Sequence, residues 1–228
     1  LKVPRIVFGI EDNKPECIAR YRELVKNEQN MEVMPLKAMY PQGGEKVLIY
    51  HVMGKKVPEG KLPLDVGAVV LNCTTISSIA RYCRTGLPLV KKCVTVDGSA
   101  VKEPKNVLVP IGMRMKDVFA ACGGFKEEPK MVLYGGPMMG IAVPDLEQPI
   151  LKNTNAILAF GEAEATPPEP TACIKCGKCI AHCPLSLMPC EMETAYKRGN
   201  MDRLMQLKVN LCMECGCCAY ICPAHRPL

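Results

Sequence analysis

The chain has no tryptophan, and aromatic residues of all kinds make up only 5% of its 228 residues. Its lysines and arginines are scattered, with no stripe of basic side chains interleaved with rings, so it lacks the surface signature of a nucleic-acid-binding protein. No run of eighteen apolar residues occurs, which leaves no candidate for a membrane-spanning helix. The first residues show no succession of basic, apolar and small residues of the kind that directs secretion. Low-complexity tracts are also absent. A cytosolic chain, or one attached peripherally to a membrane surface, is expected. The opening "LKVPRIVFGI" already reads as a buried strand, so the chain is expected to be part of a longer polypeptide.

Cysteine is what the chain has in excess. Ten of its fifteen cysteines fall between positions 173 and 222. They form two nearly identical runs, "CIKCGKCIAHCP" and "CMECGCCAYICP". The first sets thiols at Cys173, Cys176, Cys179 and Cys183 before Pro184. The second sets them at Cys212, Cys215, Cys218 and Cys222 before Pro223. Both obey C-x2-C-x2-C-x3-C-P, the spacing in which three thiolates wrap one 4Fe-4S core while the fourth reaches the neighbouring core. The expected ligand sets are therefore Cys173, Cys176, Cys179 and Cys222 for one cluster, and Cys212, Cys215, Cys218 and Cys183 for the other.

Structural zinc would use four of these thiols and leave the rest without a role. Disulfides are disfavoured in a cytosolic compartment. Cys190 and Cys217 fall off the spacing and read as bystanders. Cys217, Lys175 and Lys178 are nevertheless close enough in sequence to bias a cluster's potential. Met188, Met213, Ile174, Ile180 and Ile221 are expected to shield the sites by packing. The formal charge of +6 counts every thiol as neutral; two clusters with their thiolates would bring it to about +2.

Between the runs, Pro189 with Glu191 and Glu193 reads as a helix start and Gly199-Asn200 as its stop. A second helix follows over 202–209, with apolar residues at 204, 205 and 207. A domain of this size has too small a core to hold together without its metals.

Upstream, residues 3–10 and 31–36 read as strands around a helix entered through Pro15, with Asp12 or Asn13 as its cap and Ile18, Tyr21, Leu24 and Val25 on one face. That is a β-α-β unit. Gly43-Gly44 then stands at a helix start, where backbone N–H groups can approach an anionic or planar ligand; the competing reading is a plain glycine turn with Glu45 in the first helical turn. Residues 68–86 read as strand, polar turn over 72–75, and helix ending at Gly86, with Thr74 or Thr75 as a possible cap. From Lys92, short strands surround one helix, which suggests a β-grasp-like module with a hairpin signal at Asp97-Gly98 and a tight turn at Gly135-Gly136-Pro137. Residues 161–171 form a proline- and acid-rich linker.

The ordered set "GIEDNKPECI", "YPQGGEK", "VTVDGSAVKEPKN", "GGPMMG", "CIKCGKC" and "CMECGCC" resembles the C subunit of the Rnf electron transport complex. More distantly it is similar to the flavin- and NADH-binding subunit of respiratory complex I. The resemblance implies a multidomain α+β and α/β fold. Residues 1–90 would be part of a Rossmann-like flavin/NADH-binding domain, 91–160 a β-grasp-like (SLBB) module with a return strand, and 172–228 a helical two-cluster 4Fe-4S ferredoxin domain. It implies FMN contacts at Tyr40, Gly43, Gly44, Glu45, Asn72 and Thr75, with Glu45 the leading candidate for a nucleotide contact. It further implies NAD(H) as substrate, and as partners the other subunits of a membrane-bound complex together with ferredoxin or an adjacent iron–sulfur subunit. The subunit would sit peripherally on the cytoplasmic face of the cell membrane and exchange electrons between NAD and ferredoxin, coupled to ion translocation. The family's glycine-rich phosphate loop has no counterpart in these residues. In the family that loop belongs upstream of Leu1, and the rival reading is a two-cluster carrier with no nucleotide site of its own.

Overall fold

A computed structural model describes residues 3–228, which divide into two compact units, one running to Asn72 and the other from Cys73 to Leu228. In the first, β1 (Ile6–Glu11) and β2 (Met31–Leu36) pair in parallel in a register that sets Ile6 opposite Met31 and Glu11 opposite Leu36. A parallel pair needs a crossover. Here it is α1 (Pro15–Val25), which begins with its proline in the first turn, where no backbone N–H is missed. Ile18 is buried, and the Tyr21 ring lies 5.1 Å from that of Phe8.

The cap residue of α1 is Lys14, without a side-chain cap bond. Asp12 does not cap it. Its carboxylate instead accepts the Ala38 N–H at 2.9 Å and so ties the end of β1 to the chain leaving β2. Helix α2 (Glu45–Met53) follows Gly44 and ends at the left-handed Gly54. It packs over β1 at Gly9, where a Cβ would lie 2.9 Å from Leu36 and 3.1 Å from Leu48. A short 3-10 turn follows at Pro63–Val66. Residues 68–71, expected as a strand, belong to no ladder among the described residues. Their apolar, β-branched composition suits a strand, but a strand also needs an edge to pair with.

The second unit opens with α3 (Cys73–Thr85), closed by the left-handed Gly86, whose N–H donates to the Tyr82 carbonyl. Because α3 starts at Cys73, Thr74 and Thr75 lie inside its first turn rather than at the cap. Next come β3 (Lys91–Asp97), β4 (Lys105–Pro110), α4 (Met115–Ala121), β5 (Met131–Tyr134), β6 (Ile141–Ala142) and β7 (Ala156–Phe160). The sheet order is β4-β3-β7-β5-β6, with β3 and β7 parallel and the other neighbours antiparallel. Alternation along β3 sends Val94 and Val96 inward and Thr95 outward. The two valines join Met115, Val118, Phe119, Ile150 and Ile157 in a fully buried core between sheet and α4.

Beyond β7, a single turn, α5 (Glu162–Ala165), occupies the start of the expected linker. It is fastened to the β-grasp module: Ser99 Oγ donates to Glu164 at 2.8 Å and accepts the Gly161 N–H at 3.0 Å. The C-terminal region holds α6 (Lys178–Ala181), α7 (Pro189–Lys197), α8 (Met201–Gln206), a 3-10 turn at Val209–Leu211 and α9 (Cys217–Tyr220). Helices α7 and α8 form the expected hairpin, turned at Gly199 and capped by Asn200, whose side chain accepts the Arg203 N–H at 2.9 Å. Leu187, Met192, Ala195, Leu204 and Leu207 make its small core, whereas Met205, expected inside, is exposed.

Gly98 shows how little slack the sheet has. Its φ is +115°, and a Cβ there would sit 2.1 Å from the Ala159 carbonyl oxygen on β7. Gly98→Ala is expected to lower stability by about 2–5 kcal/mol, read as a fall in the urea midpoint of the second unit without a change in slope.

Candidate cofactor sites

The two cysteine runs fold as copies of one loop. In each, the residue before the second cysteine takes a left-handed conformation (Lys175, φ 56°; Glu214, φ 54°), and so does the glycine after it (Gly177, φ 75°; Gly216, φ 78°). A left-handed non-glycine residue carries a steric cost and persists only where the surroundings impose it. Its effect here is direct. The Lys175 N–H points at Cys173 Sγ and the Glu214 N–H at Cys212 Sγ, both at 3.4 Å. A one-turn helix follows in each copy, α6 and α9, and these two pack on each other. After each fourth cysteine the chain turns through a further left-handed residue, Ser186 or His225, whose N–H donates to the carbonyl of that cysteine at 3.1 Å. Cys183 Sγ also accepts the Leu187 N–H at 3.3 Å. Backbone N–H groups aimed at sulfur are what a coordinating thiolate requires.

The electrostatic neighbourhoods mix the two runs. Cys217 lies within electrostatic reach of Cys183 as well as of Cys215 and Cys218. Arg226 lies within electrostatic reach of both Cys173 and Cys222. Burial pushes the Cys218 thiol up. Burial, then the hydrogen bond and charge of Cys215, push Cys217 up to about 11. Burial, then the charge of Cys179, raises Cys190. Each added thiolate is therefore opposed unless cations accompany it.

Among the described residues, no group of three or more His, Cys, Asp or Glu side chains converges as the ligand set of one metal ion. A zinc ion would need four sulfurs each about 2.3 Å from a single point; a four-iron cubane spreads its thiolates around a larger body. Of the residues expected to shield the sites, Ile180, Met213 and Ile221 are half-buried, while Ile174 and Met188 are exposed.

Sequence reading had no signal for the clamp beneath the first loop. Arg226 donates from Nε and Nη2 to both carboxylate oxygens of Glu193, at 2.8 and 2.6 Å, and from Nη1 to the Thr171 carbonyl at 2.9 Å. Lys197 adds a contact to Glu193 at 2.8 Å. The Glu193 side chain is only 8% exposed. Thr171 N–H donates in turn to Ala224 at 2.9 Å, so the C-terminal stretch of chain, α7 and the segment leading into the first cysteine are held together.

In the first unit, Tyr40, Gly43, Gly44 and Glu45 share one turn leading into α2. Tyr40 and Glu45 are exposed, and a Cβ on Gly43 would meet nothing within 4 Å. The turn is shaped by Gln42, a buried polar residue whose side-chain oxygen pairs with His51 Nδ1 at 2.5 Å. The Gly44 N–H donates to Pro41 and the Leu48 N–H to Gly44. The amides of the first turn are thus left to whatever approaches the helix end. Asn72 closes the first unit and Thr75 belongs to the second.

Residues 1–81 match the family model for the Nuo51 FMN-binding domain, and residues 93–142 the SLBB domain model. The C subunit of a proton-translocating ferredoxin:NAD(+) oxidoreductase complex from Clostridium ljungdahlii is 43% identical over 189 residues, covering 83% of this chain and 41% of that protein. The C subunit of the Na(+)-translocating complex of Acetobacterium woodii is 41% identical over 196 residues, 86% of this chain and 44% of that one. The chain is a homologue of these C subunits. Its counterpart in an ion-translocating oxidoreductase complex from Rhodobacter capsulatus is 37% identical over 89% of the chain and 39% of its own length. The chain therefore spans about two fifths of the curated C subunits it matches.

The crystal structure of an NAD+-reducing NiFe-hydrogenase in the H2-reduced state superposes with a TM-score of 0.59 at 17% identity, over 95% of this chain and 46% of that one; that is a likeness of fold. All six expected flavin contacts lie inside the stretch that matches the FMN-binding model, while the cysteine runs lie outside both family matches. The β-grasp module stands between them, in the order that the Rnf resemblance implies. No helix among the described residues is long and apolar enough to cross a membrane.

Arg226 first, and Lys197 after it, hold the Glu193 carboxyl below the usual carboxylate range. A group whose folded pKa is depressed stabilises the fold above its unfolded pKa and loses that contribution as pH falls through the folded one. The melting temperature of the wild type should therefore exceed that of Glu193→Gln at neutral pH. The gap should begin to close only on reaching the ordinary carboxylate range and vanish below it.

Proposed function

We propose that this chain is the electron-relaying part of a C subunit. In this reading the turn at Tyr40, Gly43, Gly44 and Glu45, with Asn72 and Thr75, holds FMN, and the cysteine loops hold two 4Fe-4S clusters. NAD(H) is the substrate, Glu45 faces it, and ferredoxin or an adjacent iron–sulfur subunit is the partner. The subunit lies peripherally on the cytoplasmic face of the membrane within an ion-translocating complex. The limits 1–90, 91–160, 161–171 and 172–228 describe flavin domain, SLBB module, linker and cluster domain.

The observation that supports this reading is that the two cysteine runs fold as copies of one loop, with left-handed Lys175 and Glu214 turning their N–H groups toward Cys173 and Cys212 at 3.4 Å, while the fourth cysteines, Cys183 and Cys222, are proposed to cross. Crossed ligands belong to the two-cluster arrangement and have no purpose in two separate metal sites. The donor set fits: eight thiols, left-handed backbone at Lys175 and Glu214, and N–H groups directed at Cys173, Cys183 and Cys212. When bound, flavin and clusters would divide the two-electron chemistry of NAD into single-electron steps.

The chain's own residues contribute geometry and charge. Helix α2 offers its N-terminal amides to an anionic ligand. Gly43 leaves its approach open, and Gln42 with His51 keeps the turn in shape. Arg226 supplies positive charge next to Cys173 and Cys222, tempered by Glu193. Lys175 and Lys178, at the rim of the first loop, are exposed to an incoming partner.

Anaerobically prepared protein is expected to contain about eight iron and eight acid-labile sulfide per chain, with low-temperature EPR showing two interacting centres. Zinc, or a well-folded protein without metal, would overturn the reading. Removal of iron by a chelator should abolish the cooperative unfolding of the C-terminal region.

A second reading is a two-cluster carrier with no nucleotide site of its own. Titration with NADH separates the two: bleaching of bound flavin supports the relay, and flavin-free protein whose clusters NADH does not reduce supports the carrier. Glu45→Gln is expected to weaken NADH-dependent bleaching about tenfold without altering iron content.

A further inference from the structure

The two cysteine loops share one backbone, yet their outer faces differ. In the second, a Cβ on Gly216 would lie 2.9 Å from the Met138 carbonyl oxygen, so the turn after β5 stands against the loop; in the first, a Cβ on Gly177 would meet nothing within 4 Å. Exposure follows the same division. Residues 173–178 are exposed without a break, whereas at the equivalent positions 212–217 Cys215 is buried and Met213, Gly216 and Cys217 are half-buried. Ile174, the counterpart of Met213, is 66% exposed.

Charge divides the loops in the same way. Between Glu169 and Glu191 the chain carries Lys175, Lys178 and no acid; between Lys208 and Arg226 it carries Glu214 and no lysine or arginine. Lys175 and Glu214 hold the same left-handed position in the two copies. Lys178 stands where the second loop has Cys217, each being the first residue of its one-turn helix. Among the described residues neither lysine side chain pairs with a carboxylate, in contrast to Arg226, which is held by Glu193. An exposed apolar side chain amid unpaired cations has the composition of a small, transient contact surface, in which the charges steer and orient the partner.

We propose that the face formed by Ile174, Lys175, Gly177 and Lys178 is the docking surface for an acidic one-electron carrier protein, so that electrons enter or leave through the first loop while the second faces the β-grasp module. The proposal rests on the two-cluster reading above and adds to it the surface, the partner's charge and the order of the two loops. At this face one electron passes from the reduced carrier to the oxidised cluster that Cys173, Cys176 and Cys179 would hold. The carrier is oxidised by one electron, the cluster is reduced by one, and no proton or covalent bond takes part. Charge complementarity selects the carrier: a carboxylate-rich surface is drawn to Lys175 and Lys178 and repelled by Glu214. Gly177, with open space in front of it, lets that surface come close to the loop.

The test uses the full-length subunit purified without oxygen, with iron analysis and stopped-flow reduction by an acidic two-cluster ferredoxin over a range of ionic strength. Lys175→Gln combined with Lys178→Gln should lower the second-order rate constant about tenfold at low salt, with the difference shrinking as salt is added. Lys175→Arg combined with Lys178→Arg should keep the wild-type rate. Lys102→Gln combined with Lys152→Gln, which removes the same charge from exposed positions of the β-grasp module, should stay within about twofold of it. All should hold the same iron and be reduced at one rate by photoreduced deazaflavin, an uncharged donor. A wild-type rate that does not fall as salt rises would overturn the proposal without any variant. Unchanged ferredoxin rates in the iron-replete glutamine variant, or an equal fall in the β-grasp control, would overturn it and leave the cluster reading intact. So would loss of binding to phosphatidylglycerol vesicles with the ferredoxin rate preserved, which would assign the two lysines to a membrane surface. Wild-type protein without iron would end both.

Discussion

Sulfur anions repel one another, and the C-terminal part of this chain is arranged around that fact. Ten cysteines are gathered onto a core of five buried residues. Such a core cannot by itself offset the ordering of more than fifty residues. The thiols cannot offset it either while they are unpartnered, because burial and mutual repulsion already push Cys190, Cys217 and Cys218 up. The left-handed turns at Lys175 and Glu214 cost energy of their own. They make sense only if something strongly bound by thiolates offsets the cost. On the two-cluster reading proposed above, metal binding would be part of folding rather than an addition to a finished fold.

Much of this is legible in the sequence because spacing encodes it. Three cysteines at intervals of three with a fourth four residues later, written twice, prescribe two matching loops before any coordinate is known. The β-α-β unit and the hairpin of α7 and α8 are legible too, through apolar periodicity, through Pro15 and Pro189 at helix starts, and through Gly199-Asn200 as the break between the two helices. What stays hidden depends on contacts between distant segments. Nothing in the sequence marks Arg226 as the partner of Glu193, or Asp12 as a tie to Ala38 in place of a helix cap. Residues 68–71 have strand composition and no strand, since a ladder needs a neighbour that composition does not report. Gln42 lies within "YPQGGEK", yet a glutamine beside two glycines gives no sign that it is buried against His51.

On the reading proposed above, the turn before α2 and the cysteine loops would solve the same problem with different means. In both, the chain must present N–H groups to negative charge, and both place a glycine where a side chain would obstruct or strain the backbone. At the turn before α2 this is done with the first amides of a nine-residue helix and the open space at Gly43. In the loops the helices are one turn long, too short to contribute much of a dipole, and single left-handed residues do the aiming. The difference would suit the proposed ligands. A phosphate-bearing cofactor meets a surface, whereas a cluster must be enclosed from several sides.

The β-grasp module joins this arrangement through contacts that a simple tether would not need. Gly216, left-handed and in the middle of the second loop, lies so close to the Met138 carbonyl that a Cβ would sit 2.9 Å from it. Met138 belongs to the turn after β5, so the second loop is braced by the "GGPMMG" segment. The apparent linker is tied at both ends, to Ser99 by Gly161 and Glu164, and to the C-terminal chain by Thr171. A flexible connection would let the distance between cofactors vary, and electron transfer is sensitive to distance. A segment fastened to both neighbours, with a sheet turn pressed on one cluster loop, limits that variation within the second unit. The module's place in the chain therefore has a mechanical reason: it carries the second loop on a sheet whose core includes the fully buried Val94 and Phe119.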